Sequence, residues 1–535
     1  MEMMNALRNL HLVRGVWFTF LWVFLMLQLP ATGASVGQIG EGKRHPMQGK
    51  EIDWIDGDYV LRNDQVVAVI ARPSAQRHAN MTVRSVGACI IDFTRLDVES
   101  DQLSCYYPLA GRYQFFDDGL VETGDLDGGG VFWRCRSTAA TARNGTVATI
   151  EYQLRDGDPY LTVIKTVTGE DVSKVTAADS VRADQTFVVG TLAKTTTGYC
   201  EDEHFRQTYG FEAAIGAKTP QWSASGRNRQ LKYGADAADR SDNRVQWVTR
   251  IYAASSPLDL WGLTSGAKGQ NFSVAGAVGE HPRIKLSVIA GDVGSLELPC
   301  EWRTAADGKS VVHLPPGQYR VRGEAIGHLP VEADIEVTSE TKEFALQLGA
   351  ATTVQVTVVS ENGQPIPCKA TFYGTANEDG EMTPDPVFGI ESQSGAVGNC
   401  VYTADGQFVR SIPSGTYDLL LSRGPEYDAV FEKIQIAEGQ QRAIKATLKR
   451  VVDTTGWVSA ELHSHSTPSG DNTSDQLGRV ENLVCEQIDF APCTEHQRIE
   501  SYDDQLEKLG AQSFMATCTG MELTGSPLPI NHQNA

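Results

Sequence analysis

A gapless internal repeat constrains the fold of this 535-residue chain more than any other feature. Residues 307–319 align on residues 405–417 at an offset of 98 positions. Both copies contain Asp-Gly, a strand of alternating polar and apolar residues, and then Pro-x-Gly-x-Tyr. Pro and Gly favour a tight turn, and the Tyr then starts a second strand that is apolar on one side. The repeat therefore predicts two β-sandwich modules of about 100 residues each, over 251–349 and 350–450.

The second module opens with an alternating strand, residues 353–360, which leads into Asn-Gly-Gln-Pro-Ile-Pro at 362–367. Together with Ile-Pro-Ser-Gly-Thr-Tyr at 412–417, this pattern resembles carboxypeptidase-regulatory-like (transthyretin-like) domains. The first module shares the turn and has a more degenerate opening strand. The resemblance implies that both modules are spacers or packing units without catalysis.

Residues 36–250 show strands and turns with no long helical period, which predicts a large antiparallel β-sandwich. Residues 59–62 and 65–70 form one hairpin pattern across Asn63-Asp64, and residues 146–154 and 160–167 form another. The strand rhythm is similar to that of galactose-mutarotase-like, sugar-associated proteins. That resemblance implies a carbohydrate as an alternative partner, and a carbohydrate-active enzyme within residues 50–250 as a third functional hypothesis.

The N-terminus has the pattern of a secretory signal peptide, which we assign to residues 1–33. Arg8 and Arg14 precede an apolar run over 16–27, and small residues follow at 31, 33 and 34. An uncleaved membrane anchor is the alternative, but the run is shorter than the roughly 20 residues that a membrane span needs. We therefore expect an exported protein, periplasmic or extracellular, which contacts a membrane only if this segment is retained.

The charge and the cysteine content restrict which partners and which cross-links are expected. The formal net charge is −21 and no basic patch stands out, so nucleic acid is not an expected partner. The ten cysteines contain no Cys-x-x-Cys metal or redox signature. Export permits disulfides, for which Cys368 with Cys400 is a candidate pair, and buried reduced cysteines are the alternative.

In residues 451–535, polar loops that carry histidines alternate with amphipathic segments. This pattern predicts strand, helix, strand, helix and strand in succession. The expected strands cover 458–462, 488–494 and 513–519. The expected helices cover 474–487, capped by Ser474 or Asp475, and 503–510, ended by Gly510. This order is typical of an α/β barrel, in which functional side chains lie where the strands end.

Four of the eleven histidines fall within the last 73 residues, near these strand ends. The i, i+2 spacing of His463 and His465 points both imidazoles to one side of an extended segment. His496 and Glu522 follow the next two strands, and a glutamate can bridge two ions through its two oxygens. A lone His-x-His occurs by chance on many surfaces, but the ordered set predicts a site for divalent metal. Further candidate ligands are Asp471 and His532.

The motifs around these residues resemble the PHP (polymerase and histidinol phosphatase) superfamily. They are Trp-x-x-x-Glu-Leu-His-Ser-His-Ser at 457–466, Ile-Asp-Phe at 488–490, Thr-Glu-His at 494–496 and Gly-Met-Glu-Leu-Thr at 520–524. With export and β-sandwiches ahead of this segment, the chain is similar to CehA/McbA-like metallohydrolases.

This resemblance implies a centre of two or three Zn, Mn or Fe ions that hydrolyses small-molecule phosphoesters or, in the CehA-like branch, esters and carbamates. The family motifs fall on metal ligands His463, His465, Asp471, His496 and Glu522, and a later family histidine falls on His532. Glu495 stands where the family has Asp. It is expected to contact a metal ligand rather than the metal itself, and so to orient that ligand.

The family barrel spans roughly 200 residues, whereas about 80 carry the resemblance here. We therefore expect an incomplete catalytic domain, the N-terminal part of an exported hydrolase, with little activity in this chain. The alternative is a non-catalytic β-rich binding or surface protein with a vestigial PHP segment.

Overall fold

The protein is mainly β and multidomain, as the sequence predicts. Among the described residues, no helix is long and apolar enough to cross a bilayer. The predicted signal segment lies outside the described residues, except for Gly33. The computed structural model describes residues 33–535 apart from 41–51, 80–82, 98–100, 139–144, 171, 174, 183–186, 193, 203–204, 206, 217, 226–227, 278–283, 306, 341, 390–394, 470–471, 473, 497 and 525–531.

Two antiparallel sheets share one core in the first sandwich. The first sheet has the order β1-β2-β3-β4-β5-β10-β15-β14 and the second has the order β11-β12-β13-β17-β9-β8-β7-β6, with β16 on β17. Strand β8 alternates buried and half-buried residues along its length, as expected for one core-facing side. Both predicted hairpins are confirmed, since β2 pairs with β3 and β8 pairs with β9.

The strands of the first sheet are β1 Ser35–Gln38, β2 Tyr59–Arg62, β3 Val66–Ile70, β4 Ile90–Arg95, β5 Cys105–Tyr107, β10 Ala178–Arg182, β14 Gln221–Ser225 and β15 Asn228–Lys232. Those of the second are β6 Val121–Asp125, β7 Val131–Arg136, β8 Val147–Leu154, β9 Tyr160–Thr168, β11 Phe187–Thr191, β12 Thr197–Asp202, β13 Gln207–Ala213, β16 Ala238–Ser241 and β17 Arg244–Ala254. Short 3-10 turns occur at Pro108–Gly111, Asp118–Leu120 and Ala235–Ala237, and helix α1 at Pro257–Thr264.

The two repeat modules have matching topologies. Each has a three-stranded sheet, β21-β18-β24 or β29-β25-β32, in which the central strand pairs in parallel with the last strand. Their second sheets are β20-β19-β22-β23 and β27-β28-β26-β30-β31. The strands are β18 Gly269–Ala275, β19 Lys285–Ala290, β20 Cys300–Arg303, β21 Lys309–His313, β22 Gly317–Glu324, β23 Val331–Val337, β24 Glu343–Gln347, β25 Thr353–Ser360, β26 Cys368–Gly374, β27 Ala396–Val397, β28 Cys400–Thr403, β29 Gln407–Ser411, β30 Gly415–Ser422, β31 Val430–Ile436 and β32 Gln441–Leu448.

The repeated motif forms the same structure in both modules. Strands β21 and β22 begin 98 residues before β29 and β30, which is the offset read from the sequence. The tyrosine of each turn donates from its hydroxyl to a carbonyl four residues earlier: Tyr319 to Pro315 O at 2.9 Å and Tyr417 to Pro413 O at 2.8 Å. Both tyrosines are buried, so each ties its turn to the module core.

The candidate disulfide between Cys368 and Cys400 does not form, and both cysteines are free. Cys400 lies opposite Thr371 on the neighbouring strand, whereas Cys368 lies opposite Thr403. A shift of three residues separates the two Cα atoms by about 10 Å along the strands. A disulfide needs Cα atoms within about 7 Å.

In the last segment, four of the five predicted elements form in the predicted order, as α2 Gln476–Cys485, β33 Phe490–Pro492, α3 Asp503–Leu509 and β34 Ala516–Cys518. Two short strands that were not predicted follow, β35 Glu522–Leu523 and β36 Gln533–Asn534. Strands β33 and β34 pair in parallel. The strand expected over 458–462 is reduced to a parallel bridge between Ala460 and Phe490. The side chain of Asp489 accepts the backbone N–H of Ser459 at 2.8 Å, so a side chain replaces the next backbone ladder bond.

Helix α2 seats this last segment on the second module. Asp475 caps it by accepting from the Gly478 N–H at 3.0 Å. Its buried residues Val480 and Val484 share a core cluster with Ala404, next to β28. Arg423 of the module donates to the α2 carbonyl of Val484 at 3.5 Å. The metal-ligand candidates therefore stand on a folded β-scaffold.

We predict that Tyr417→Phe destabilises the second module by about 1 kcal/mol, because the partly buried Pro413 carbonyl loses its donor. Denaturant unfolding of the full chain measures this as a shift of the module's transition. Tyr373→Phe, on a half-exposed tyrosine of the same module, is the control and should shift it by less than about 0.5 kcal/mol. Equal shifts for the two variants would contradict the turn-anchoring role.

Candidate metal centre

Four histidines converge on one buried carboxylate. His463 Nε2, His465 Nε2 and His496 Nδ1 lie 3.2, 3.1 and 3.2 Å from Glu522 Oε2. His532 Nδ1 lies 2.6 Å from the other oxygen, Oε1. The structure thus brings together five of the six predicted ligands. The sixth, Asp471, lies outside the described residues.

Backbone pairing brings Glu522 to the histidines. Strand β35 pairs with β36, which directly follows His532, and Glu522 forms a parallel bridge with His496. The Glu522 N–H donates to Glu495 O at 2.9 Å. The carboxylate itself has no solvent exposure. Residues from distant positions in the sequence are therefore fixed around one point by β-bridges.

The ionisation of Glu522 fits a role as a ligand. Burial alone would raise the pKa of its carboxyl group. Hydrogen bonds from His463 and His532, with the nearby His496 and His465, outweigh burial and hold the pKa below its ordinary value. The carboxylate therefore stays charged, which is the form that binds cations.

The ligand atoms fall into two groups that share Glu522. One group is His463, His465 and Glu522, and the other is His496, Glu522 and His532, with all ligand atoms in each group within 4.8 Å of one another. His496 is 5% exposed at its side chain and His465 is 18% exposed, whereas His463 and His532 are both 51% exposed. The centre is thus closed by protein at His496 and open to solvent at His463 and His532.

Glu495, acting through Ser469, determines which ring nitrogen of His465 carries the proton. As a carboxylate Glu495 can only accept, and Ser469 donates its hydroxyl hydrogen to Glu495 Oε2 at 2.5 Å. The Ser469 oxygen then accepts from the His496 N–H at 2.9 Å and from His465 Nδ1 at 3.0 Å. His465 therefore carries its proton on Nδ1, and Nε2 presents a lone pair toward Glu522.

Further hydroxyl contacts hold the ligand loops together. Thr494 Oγ1 accepts from the Ser464 N–H and donates to the Ser464 carbonyl, both at 2.9 Å. Ser466 donates to Glu495 from its N–H, at 3.0 Å, and from its hydroxyl. Thr524 Oγ1 lies 2.7 Å from His496 Nδ1. These contacts fix the two loops before any ion binds.

The sequence prediction included the ligands and Glu495 but missed these hydroxyl groups. The available signal was the spacing of the serines. Ser464 lies within the His-x-His motif, and Ser466 and Ser469 follow it. It also missed Arg479 on α2, which donates from Nε to the His465 carbonyl at 3.0 Å. A helix residue 14 positions away carries no pattern that marks such a contact.

The donor set fits a divalent ion such as zinc. Imidazole nitrogens and a carboxylate suit Zn, Mn and Fe. Ligands held 2.0–2.1 Å from a tetrahedral zinc ion are about 3.3 Å from one another, close to the separations around Glu522 Oε2. His465 Nε2 lies 3.1 Å from the negative Oε2 of Glu522 and 2.9 Å from His463 Nε2, a cluster of ligand atoms that a bound cation would stabilise.

Comparisons with known proteins do not assign the chain to a family. The sequence matches no family model and no curated protein. Among solved structures, the Bacillus anthracis TIE protein is 13% identical over 58% of this chain and 56% of its own, with a TM-score of 0.15. A streptococcal ancillary pilin is 13% identical over 46% and 81%, with a TM-score of 0.17. Heparinase III is 9% identical over 55% and 44%, with a TM-score of 0.22. The chain spans about half the length of the first of these, and such low scores support no shared function.

We predict that the chain binds up to two Zn ions, measured by mass spectrometry of the metal content after loading and dialysis. Glu522→Ala should abolish both, because both ligand groups contain that carboxylate. His532→Ala should remove one ion and leave the His463 and His465 group occupied. Lowering the pH should weaken metal binding, because protons compete with the metal for the imidazole nitrogens.

His328→Ala is the control for these variants, because His328 lies in the first module and contacts the Gly349 carbonyl at 2.8 Å. It should retain the wild-type metal content. Identical metal content in wild type and Glu522→Ala would contradict the assignment.

Proposed function

We propose that this protein is a metal-dependent hydrolase of the PHP type that acts on a small-molecule phosphoester or on an ester or carbamate. The observation that supports this most is the buried Glu522 carboxylate shared by two histidine groups. When bound, a pair of divalent ions lowers the pKa of water and polarises a substrate oxygen, which is the chemistry of such hydrolysis.

Different residues of the chain would bind the ions of such a centre and orient its ligands. His463 and His465 offer nitrogens from one loop, His496 and His532 offer nitrogens from two others, and Glu522 joins the groups. Glu495, through Ser469, keeps His465 in the tautomer whose Nε2 lone pair points toward Glu522. The buried hydroxyl contacts around Glu495 restrict the loops, so that little conformational entropy is lost on metal binding.

Substrate access is expected from the side of His463 and His532, whose rings are half exposed. His496 and Glu495 are buried, so water is excluded around them. With divalent ions held by the histidines and Glu522, an anionic phosphoryl group would be attracted to the open side. This arrangement favours phosphoesters within the proposed class.

We also place the protein outside the cytoplasm. The basic residues Arg8 and Arg14, the apolar run over 16–27 and the small residues that follow support export through a signal peptide. N-terminal sequencing of the protein recovered from outside the cytoplasm should find a start near residue 34.

The experiment that tests the proposed function is hydrolysis by the full chain loaded with Zn, Mn or Fe. The substrates are p-nitrophenyl phosphate, bis-p-nitrophenyl phosphate and p-nitrophenyl acetate. Because about 80 residues carry the family resemblance, we expect slow cleavage of at least one substrate, and we expect a chelator to abolish that cleavage. His463→Ala should lower kcat/KM by at least about 100-fold, since it removes a ligand on the open side.

The same assay identifies the alternative, a non-catalytic β-rich binding protein. His328→Ala must retain wild-type turnover, which shows that loss in His463→Ala is specific. Metal binding without turnover of any of the three substrates would favour the non-catalytic alternative. Turnover that persists in His463→Ala would place the activity elsewhere, as the hypothesis of a carbohydrate-active first sandwich requires.

A further inference from the structure

The loop that carries His496 is attached to the first sandwich, more than 400 residues earlier in the chain. Arg498 donates from Nη1 to the Ile52 carbonyl at 2.6 Å and from Nη2 to Asp53 Oδ1 at 2.8 Å. The Asp53 side chain is 2% exposed and that of Arg498 is 25% exposed. The contact is therefore a largely buried ion pair with a second hydrogen bond, which is stronger than a solvated surface pair.

Asp53 is itself rigidly held. Its N–H donates to Asp92 Oδ1 at 2.8 Å, and its carbonyl accepts from Arg77 Nη2 at 2.6 Å. Arg77 also pairs with Asp58 at 2.6 Å. Burial, and then the neighbouring charge of Asp53, raises the pKa of Asp92. The two neighbouring carboxyl groups of Asp53 and Asp92 thus favour a positively charged partner. The guanidinium group of Arg498 supplies that charge.

On either side of Arg498, the loop is hydrogen-bonded to the segment that carries Glu522. The Glu522 N–H donates to Glu495 O at 2.9 Å, and Glu500 and Gly520 exchange backbone hydrogen bonds of 3.2 and 3.0 Å. Glu495 and Glu500 are therefore held by the segment 520–522, and Arg498, between them in the sequence, is held by the first sandwich. Without Arg498, the centre of the loop has lost its contact with the sandwich.

We propose that Arg498 and Asp53 are positioning residues that set the geometry of His496, so that the first sandwich determines metal affinity at a site to which it contributes no ligand. This inference rests on the proposed function for its metal readout. It assigns the first sandwich a role in the hydrolase that goes beyond a spacer or a separate binding domain.

Arg498→Met is the first test, because it removes the donors and keeps most of the side-chain length. We expect backbone amides of 495–500 to exchange hydrogen faster in the metal-free protein, and Zn affinity by chelator competition to fall about tenfold. Asp53→Asn should act in the same direction. The double variant should be no worse than the stronger single variant, because both remove one contact. Arg498→Lys should restore part of the affinity.

Arg320→Met is the matched control, since Arg320 forms an exposed ion pair with Asp334 at 2.7 Å in the first module. It should leave both readouts unchanged. Wild-type exchange at 495–500 in Arg498→Met would overturn the inference, and so would faster exchange with unchanged Zn affinity. If the wild type binds no Zn, the proposed function fails, while the exchange measurement still decides whether the contact positions the loop.

Discussion

The buried charge of Glu522 is the constraint on which the last segment of this protein depends. A carboxylate with no solvent exposure is costly unless cations or donors surround it. Four imidazoles surround this one, within 2.6–3.2 Å of its oxygens. Neutral imidazoles would compensate this charge only in part. A divalent ion bound here would supply positive charge and would accept the nitrogen lone pairs at the same time.

The surrounding structure positions these groups at three levels. Parallel pairing of β33 with β34, and the bridge between His496 and Glu522, bring the ends of extended segments together. Buried hydroxyls around Glu495 then set the loops and the His465 tautomer. Helix α2 on the second module, and Arg498 on the first sandwich, connect the segment to the β-domains.

Local patterns predicted much of this structure, and side-chain contacts between distant segments were not predictable. The repeat around Tyr319 and Tyr417 defined strands and turns because Pro, Gly and alternation act over a few residues. The candidate ligands could be selected from the sequence because imidazoles and carboxylates at successive strand ends are a rare combination. The Arg498–Asp53 pair joins residues 445 positions apart and has no local signature. The strand expected over 458–462 was too long, because its alternation does not reveal that Asp489 replaces a backbone partner.

X-ray absorption spectroscopy on the zinc-loaded full chain tests whether these histidines and Glu522 hold the metal, because it reports the atoms bound to the ion. We expect nitrogen and oxygen neighbours at about 2.0–2.1 Å, with the multiple-scattering signal of at least two imidazoles for each ion. That imidazole signal should be lost in Glu522→Ala. Sulfur neighbours near 2.3 Å, or a shell of oxygen without imidazole scattering, would contradict a metal centre built from these histidines and Glu522.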